Sequence, residues 1–194
     1  VFDSRTTNRI YKKLSSSVPI ARTELIYNNH FELLIAVMLT AQTTDRIVNE
    51  VTPSLFKKYP SPKSFILCGE KKLAHLIKRI GLAPTKAKNI IRTCQILLKN
   101  HNGVIPKTRE ELVELPGVGR KTANVVLQHA YGKTEGIVVD THVMRLSRRM
   151  GLVEKKNRDA IEVELMKIIP RKKWRRYTHL MIAHGRTICK ARNP

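Results

Sequence analysis

The sequence has 194 residues, which is enough for one or two compact domains. It contains 37 Lys and Arg against 15 Asp and Glu, and the resulting net charge of +22 far exceeds what solubility requires. A polyanion is therefore the natural partner. A membrane-spanning protein is excluded, because the longest apolar run, residues 33–39, is too short to cross a bilayer.

The cysteines and the N-terminal residues indicate the cellular compartment. The chain has 3 cysteines without paired spacing, which argues against a secreted disulfide scaffold. No signal peptide is recognisable. We therefore expect an intracellular protein, in the cytoplasm or the nucleoid if the source is bacterial.

Apolar residues at helical spacing predict several helices along the chain. Residues 31–39 are apolar on nearly every side, as in a helix buried at the centre of a bundle. Two amphipathic helices follow at 73–80 and 87–98, and the second is bounded by Pro84 and Asn102. We interpret Cys68 as a structural residue in a loop and Cys94 as a structural residue on an apolar helix face.

The most informative segment is a hairpin between two further helices, at about residues 108–131. Thr108 and Glu111 form a capping box at the start of the first helix, and Pro116 ends it. The second helix continues to Ala130 and stops at Gly132. These features predict a helix-hairpin-helix motif.

The hairpin itself, Gly117-Val118-Gly119-Arg120, is suited to binding a phosphate. Both glycines can take positive φ, so the turn can be sharp and its backbone N–H groups can face outward at the start of the next helix. A glycine turn between helices is also common without any ligand.

Lys121 and Asp140 are the candidate catalytic residues. Lys121 lies in the first turn of the second helix, where the positive helix end disfavours an ammonium ion and makes the amine easier to deprotonate. Asp140 can stabilise a cation-like sugar when the bond to a base breaks. The structural alternatives are a solvated lysine and an ordinary N-cap before Thr141.

Beyond residue 134, Ile137-Val138-Val139 is a strand-like run that is too short for a sheet. Trp174 lies within the basic run 171–176 and is interpreted as a core anchor, while the run itself is typical of a solvated face. The chain is therefore predicted to be all-α, with one helical domain at 23–133 and a segment at 134–194 that is long enough for a second.

Several separate blocks in this order resemble the endonuclease III family of helix-hairpin-helix DNA glycosylases. The resemblance runs from about residue 23 to residue 193. The blocks that carry it are 31–37, 41–45, 80–82, 86–91, 115–126, 139–142 and 183–186.

The resemblance implies a fold and an activity. Residues 1–22 would join 134–194 in the second domain, and an active-site cleft between the domains would hold Lys121 and Asp140. The protein would be a base-excision-repair glycosylase with AP lyase activity that acts on oxidised pyrimidines in double-stranded DNA through a lysine Schiff base. We expect it to act as a monomer.

The resemblance also implies three DNA contacts outside the hairpin. Gln42 and Leu82 match the positions that fill the space vacated by the extruded base, and His142 is a further candidate contact. The alternatives are a surface polar residue for Gln42, a core leucine for Leu82 and a buried structural histidine for His142.

Three other functions fit the residues less well. Adenine glycosylases of the superfamily lack the hairpin lysine and carry a glutamate on the helix that here has Ala36. The 8-oxoguanine glycosylases add an N-terminal β domain, for which the 22 residues before residue 23 leave no room. A non-catalytic helix-hairpin-helix module would keep the glycines but need neither Lys121 nor Asp140.

The sequence departs from the family pattern mainly at the cysteines that bind a four-iron four-sulfur cluster. The cluster takes four cysteine thiolates, of which Cys189 matches the first, and the second would fall at position 196. No cluster is expected in the chain as given, whereas a longer natural chain is expected to supply the other ligands.

Overall fold

The computed structural model of the chain describes residues 4–17 and 25–192. These residues form helices joined by turns, with no strand among them, so the all-α prediction is confirmed. The helices are α1 (Ser4–Ser17), α2 (His30–Leu39), α3 (Asp45–Lys58), α4 (Pro62–Cys68), α5 (Glu70–Leu76), α6 (Ala83–His101), α7 (Arg109–Val113), α8 (Arg120–Tyr131), α9 (Thr141–Arg149), α10 (Arg158–Ile168) and α11 (Trp174–Thr187).

The described residues divide into two compact units, one at 25–133 and the other at 4–17 with 134–192. In the first unit, α2 lies at the centre, and 9 of its 10 residues are buried. Around it, α6 packs on α4 and α5, and α8 packs on α2. The expectation of a helix that is buried on all sides is therefore confirmed.

The second unit has its own core. Its apolar residues come from α1, α9, α10, α11 and the extended segment before α9, and include Ile137, Val139, Leu146 and Tyr177. Trp174 is buried, and its Nε1–H donates to the carbonyl oxygen of Ile169 at 2.7 Å. Both the short extended run and the anchoring role of the tryptophan are thus confirmed.

Three helix boundaries differ from the predictions. The helix expected at 73–80 ends at Leu76, while Ile77 and Ile80 are buried in the turn that follows. Cys68 is the last residue of α4 rather than part of a loop. The first hairpin helix ends at Val113 instead of Pro116, because the residue before a proline disfavours the α conformation and the backbone closes a tight turn first.

Two cysteines lie in the core of the first unit. Cys68 and Cys94 are both buried, and burial raises the pKa of the Cys94 thiol to about 12. Their structural role is therefore supported. No helix in the described part of the chain is long and apolar enough to cross a membrane.

Candidate active site

The hairpin between α7 and α8 is held in place by α6. Gly117 has φ of 80°, and a Cβ atom there would lie 2.9 Å from Nδ2 of Asn89 on α6. The Thr93 hydroxyl, also on α6, donates to the Pro116 carbonyl oxygen at 3.2 Å. Glycine is therefore required at 117 twice over, by its left-handed backbone and by the close approach of α6.

Gly119 differs from what the sequence suggested. Its φ is −90° and its backbone is extended, so it does not use the left-handed region that was expected for both glycines. A Cβ atom at Gly119 would meet nothing within 4 Å. Because the fold itself does not demand glycine here, the bare backbone at the start of α8 leaves room for a group from outside the chain.

The two residues beside these glycines contribute differently. The Val118 side chain is buried, and its N–H donates to the Leu115 carbonyl oxygen at 3.0 Å. Arg120 is half-buried at the first position of α8. Among the described residues, the N–H groups of Gly117 and Gly119 have no acceptor, and those of the first turn of a helix have none by geometry. Val118 therefore shapes the hairpin, while these N–H groups are available to an acceptor from outside the chain.

The capping of α7 is half as predicted. The Thr108 hydroxyl accepts the N–H of Glu111 at 3.3 Å, as expected for an N-cap. The Glu111 carboxylate, however, accepts a bond from that same hydroxyl. The second bond of the capping box is therefore made between the two side chains, rather than from the Thr108 backbone N–H to Glu111.

Lys121 is the second residue of α8 and its side chain is exposed. Within the described residues its side chain forms neither an ion pair nor a hydrogen bond. An exposed primary amine without a partner is available for attack on a carbon centre.

Asp140 precedes α9 and acts as its N-cap. Its Oδ1 accepts the N–H of Val143 at 2.8 Å, and the residue is half-buried. The buried segment before it is tied to α11 through the Thr178 hydroxyl, which donates to the Val138 carbonyl oxygen at 3.3 Å. Its second oxygen has no partner among the described residues, so the carboxylate can cap the helix and still face a developing positive charge.

His142 is half-buried near the start of α9. Its Nδ1 lies 3.1 Å from the guanidinium of Arg145, which can only donate, so Nδ1 accepts and the proton resides on Nε2. Gly185 of α11 packs against the same ring, and a Cβ atom there would lie 2.8 Å from Nδ1. The ring is thus fixed by its neighbours, and Nε2 is the atom that can donate to an external acceptor.

Gln42 and Leu82 share an uncommon geometry. Both have positive φ, 55° and 60°, although neither is glycine. Gln42 is exposed, and Leu82 is 54% exposed at the N-cap of α6. The core-leucine alternative for Leu82 is therefore wrong, and both side chains are available to a ligand.

Lys86 was not predicted to have a role of its own. Its side chain is buried, and its ammonium donates to the carbonyl oxygens of Leu39 and Ala41. The available signal was its position on the apolar stripe of α6, three residues after Ala83 and four before Ile90.

The cysteine expected to be the first cluster ligand follows α11. Cys189 is half-buried, its carbonyl oxygen accepts from Arg145 at 2.9 Å, and Arg149 lies 3.4 Å from its Sγ. Across residues 4–17 and 25–192, no group of three or more His, Cys, Asp or Glu residues could hold a metal ion. The residues described here therefore do not fit a cluster that requires four thiolates.

A pocket of about 550 Å³ lies elsewhere in the first unit. It is lined by residues 27–31, 103–105, His129 and Tyr131. Tyr131 is the last residue of α8 and Lys121 is its second, so the two lie about 15 Å apart along the helix at 1.5 Å per residue. This pocket therefore does not include the candidate nucleophile.

Comparison with known proteins identifies the family. The sequence pattern of the HhH-GPD superfamily of base excision DNA repair proteins matches residues 35–171. Endonuclease III of Rickettsia prowazekii (strain Madrid E) is 50% identical over 188 residues, which cover 96% of this chain and 88% of the relative. Endonuclease III of Escherichia coli (strain K12) is 44% identical over 185 residues, covering 95% and 87%.

Solved structures agree with these sequence matches. A trapped endonuclease III–DNA covalent intermediate superimposes with a TM-score of 0.94 at 44% identity, covering 100% of this chain and 91% of the other. A non-covalent endonuclease III–DNA complex gives the same values. The chain therefore belongs to the endonuclease III family, within the HhH-GPD superfamily of base excision DNA repair proteins.

Proposed function

We propose that this chain is a bifunctional DNA glycosylase and AP lyase that removes oxidised pyrimidines from double-stranded DNA. The observation that carries the proposal is the exposed, unpartnered amine of Lys121 in the first turn of α8, directly after the Gly117–Gly119 hairpin. A related endonuclease III has been trapped as a covalent intermediate with DNA, which is the species that such an amine forms.

In the first step, Nζ of Lys121 attacks C1′ of the damaged nucleotide. The C1′–N bond breaks, and its electron pair leaves with the base, which takes up a proton. Asp140 stabilises the positive charge that develops on the sugar as the bond lengthens. Loss of the amine proton and opening of the sugar ring give an iminium that joins Lys121 to C1′.

In the second step, the iminium acidifies the C2′ proton. Loss of that proton drives cleavage of the C3′–O bond, and the electron pair departs with the phosphate. Hydrolysis of the remaining imine returns the free amine of Lys121. The strand is thereby nicked by β-elimination with no change in overall oxidation state.

The remaining contacts position the DNA. The N–H groups of Gly117 and Gly119 bind a backbone phosphate, with Val118 setting the turn and Arg120 adding positive charge. His142 donates from Nε2 to the DNA. Gln42 and Leu82 fill the space that the extruded base leaves in the stack, which offsets part of the cost of unstacking.

Borohydride trapping tests the central assignment. The unmodified chain should form a covalent adduct with abasic DNA, and Lys121→Gln should abolish the adduct and strand incision because the attacking amine is gone. Lys99→Gln, which changes an exposed lysine in the last turn of α6, should form the adduct normally. An adduct that persists in Lys121→Gln would mean that another amine is the nucleophile.

The trapping assay and a set of damaged duplexes distinguish two alternative functions. A non-catalytic helix-hairpin-helix module forms no adduct even when unmodified. A glycosylase with a different lesion preference forms the adduct but cleaves another member of a duplex set that contains thymine glycol, 8-oxoguanine, adenine mispairs and uracil. We expect thymine glycol to be released fastest.

The proposal also covers the cofactor, the oligomeric state and the location. The chain has 3 cysteines where a four-iron four-sulfur cluster takes four thiolates, so we expect no stoichiometric iron in this 194-residue chain. Iron analysis of the purified protein checks this. We further propose a monomer that acts inside the cell, in the cytoplasm or nucleoid if the source is bacterial, which sedimentation velocity and microscopy of a tagged chain would test.

A further inference from the structure

Lys86 is an unusual titratable group that the proposed chemistry does not use. It is only 6% exposed, and its ammonium donates to the Leu39 carbonyl oxygen at 2.9 Å, the Ala41 carbonyl oxygen at 2.6 Å and the Thr43 hydroxyl at 3.2 Å. An ammonium has three protons, and these three oxygens accept all of them.

The partners of this cation are neutral. No carboxylate forms an ion pair with Lys86 in the described part of the chain, and burial lowers the pKa of its amine below the ordinary value. Leu39 is the last residue of α2, where the partial negative charge of the helix end favours a cation. Burying an ammonium that only neutral dipoles stabilise costs free energy. We therefore expect such a group where the geometry that it fixes is needed.

The oxygens that Lys86 binds lie on both sides of Gln42. Ala41 and Thr43 are its immediate neighbours, so the ammonium fixes the loop in which Gln42 takes φ of 55°. The backbone N–H of Lys86 also donates to the Leu82 carbonyl oxygen at 2.9 Å, in the first turn of α6. One residue therefore joins the Gln42 loop to the Leu82 turn.

The loop and the turn are in direct contact. A Cβ atom at Gly81 would lie 3.4 Å from the Gln42 carbonyl oxygen and 3.7 Å from the Thr43 hydroxyl. These are ordinary van der Waals distances, so the Gln42 loop packs against the turn at Gly81. Gln42 and Leu82 consequently lie on neighbouring segments that Lys86 holds together.

The two displayed residues are also strained. In the described ranges, three non-glycine residues have positive φ, and the third, Asn102, is a helix C-cap of a type that tolerates this conformation. Gln and Leu do not, because their Cβ atoms crowd the backbone in the left-handed region. Backbone strain of this kind persists only where the surrounding structure holds it, and it is frequent at functional sites.

We propose that Lys86 is a positioning residue that holds Gln42 and Leu82 as a preformed pair to fill the gap left by the extruded base. This inference rests on the proposed function, which assigns Gln42 and Leu82 to that gap. Lys86 itself need not touch DNA, because its three protons are all engaged inside the protein.

A positioning role predicts a particular pattern of losses. Extruding a damaged but stacked base requires the gap to be filled, whereas a preformed abasic site has no base to remove from the stack. Loss of Lys86 should therefore slow excision of a damaged base in duplex DNA more than incision at an abasic site. A general loss of fold would lower both rates together.

The experiment compares Lys86→Met with the unmodified chain on both substrates. Excision of thymine glycol should slow by about tenfold, the scale of losing hydrogen bonds to a charged group, with incision at an abasic site changed by about twofold or less. Fluorescence of 2-aminopurine beside the lesion, which reports unstacking, should rise less on binding. Equal losses on the two substrates overturn the inference.

Lys133→Met is the matched control. The Lys133 ammonium also donates to a backbone carbonyl oxygen, that of Lys107 at 2.8 Å, but Lys133 is exposed and follows the C-terminal end of α8 by two residues. The Lys133→Met substitution removes the same charge as Lys86→Met and should leave the ratio of the two rates unchanged. A similar change in ratio for Lys133→Met would attribute the effect to net charge and overturn the inference.

A double-mutant cycle tests the route of action. If Lys86 acts through the displayed pair, combining Lys86→Met with Leu82→Ala should cost much less than the product of the two single losses. Fully multiplicative losses would mean that Lys86 acts elsewhere.

Two further measurements cover a variant that does not fold and a chain that shows no activity. If Lys86→Met does not fold by circular dichroism, Thr43→Val removes one of the three acceptors and should shift the ratio in the same direction by a smaller factor; an unchanged ratio overturns the inference. If the unmodified chain forms no trapped adduct, the proposed function fails and the inference falls with it. An active chain with a normal ratio in the variants contradicts the inference alone.

Discussion

At the scale of single residues, the proposed function gives Asp140 two tasks. One carboxylate oxygen caps α9 through the Val143 N–H, and the other has no partner in the described residues. The N-cap interpretation and the catalytic proposal are therefore compatible, because they use different oxygens.

This division of labour predicts the behaviour of Asp140→Asn. Asparagine caps helices as well as aspartate does, so the free energy of unfolding should change by less than about 0.5 kcal/mol. Base excision should slow by about a hundredfold or more because the negative charge is lost, while some elimination at a preformed abasic site remains. Single-turnover rates on the two substrates and thermal unfolding measure these effects.

Asn157→Asp is the matched control for that substitution. Asn157 caps α10 by accepting N–H groups of Asp159 and Ala160, and it lies in the same compact unit. The change exchanges the same two residue types at an N-cap and should alter neither rate. Equal losses of excision and elimination in Asp140→Asn, together with a lower melting temperature, would indicate a purely structural cap.

Two lysines illustrate how the environment decides a side chain's role. Lys121 is exposed and has no partner among the described residues, whereas Lys86 is buried and has three. The first can act as a nucleophile because nothing occupies its amine. The second cannot, because each of its protons is engaged.

At the scale of elements, the hairpin between α7 and α8 has two glycines with different requirements. Gly117 is fixed by positive φ and by contact with Asn89, whereas Gly119 has ordinary φ and open space at its Cβ position. The first serves the fold of the motif. We propose that the second leaves room for a phosphate to approach the backbone.

Alanine substitutions should separate these two requirements. Gly117→Ala should destabilise the protein by about 1–2 kcal/mol or more, because it forces a left-handed alanine against α6. Gly119→Ala should change stability by less than about 1 kcal/mol, the range of an N-cap exchange, yet weaken binding to any duplex by about tenfold. Thermal unfolding and fluorescence anisotropy with undamaged DNA measure the two effects.

Each variant is the control for the other. The hairpin proposal would be contradicted if Gly119→Ala bound DNA as tightly as the unmodified chain. It would also be contradicted if the loss were confined to one lesion while affinity for undamaged duplex remained, since backbone N–H groups carry no base information.

At the scale of the whole molecule, the net charge of +22 sets how the protein meets DNA. With 15 Asp and Glu in the chain, at least 22 of the 37 Lys and Arg side chains have no acidic counterpart. Most of the 37 Lys and Arg side chains therefore contribute to a positive field, which attracts a polyanion irrespective of its sequence.

Affinity for undamaged duplex should consequently fall steeply with salt. We expect a slope of log K against log salt of about −5 or steeper, the value for roughly six released counterions. Lys121→Gln removes one charge and should change the slope by about one unit at most. Anisotropy titrations at several salt concentrations measure this, and an affinity that is insensitive to salt would contradict a binding mode based on phosphate contacts.

Local spacing along the chain was sufficient to predict much of the fold. The apolar pattern predicted the central helix α2 and the amphipathic helix α6, and Gly132 marked the end of α8. These features depend on residues a few positions apart, whose interactions are the same wherever the segment lies. The hairpin and the two candidate catalytic residues were identified for the same reason, since they are adjacent to helix starts.

Only the tertiary structure decided the rest. The burial of Lys86 depends on carbonyl oxygens 45 and 47 residues away, which no local pattern can place beside it. The paired display of Gln42 and Leu82, and the distinction between Gly117 and Gly119, likewise follow from contacts between separate segments. Sequence spacing specifies what each element can be, while the conformation of a loop residue is set by whichever distant atoms come to lie against it.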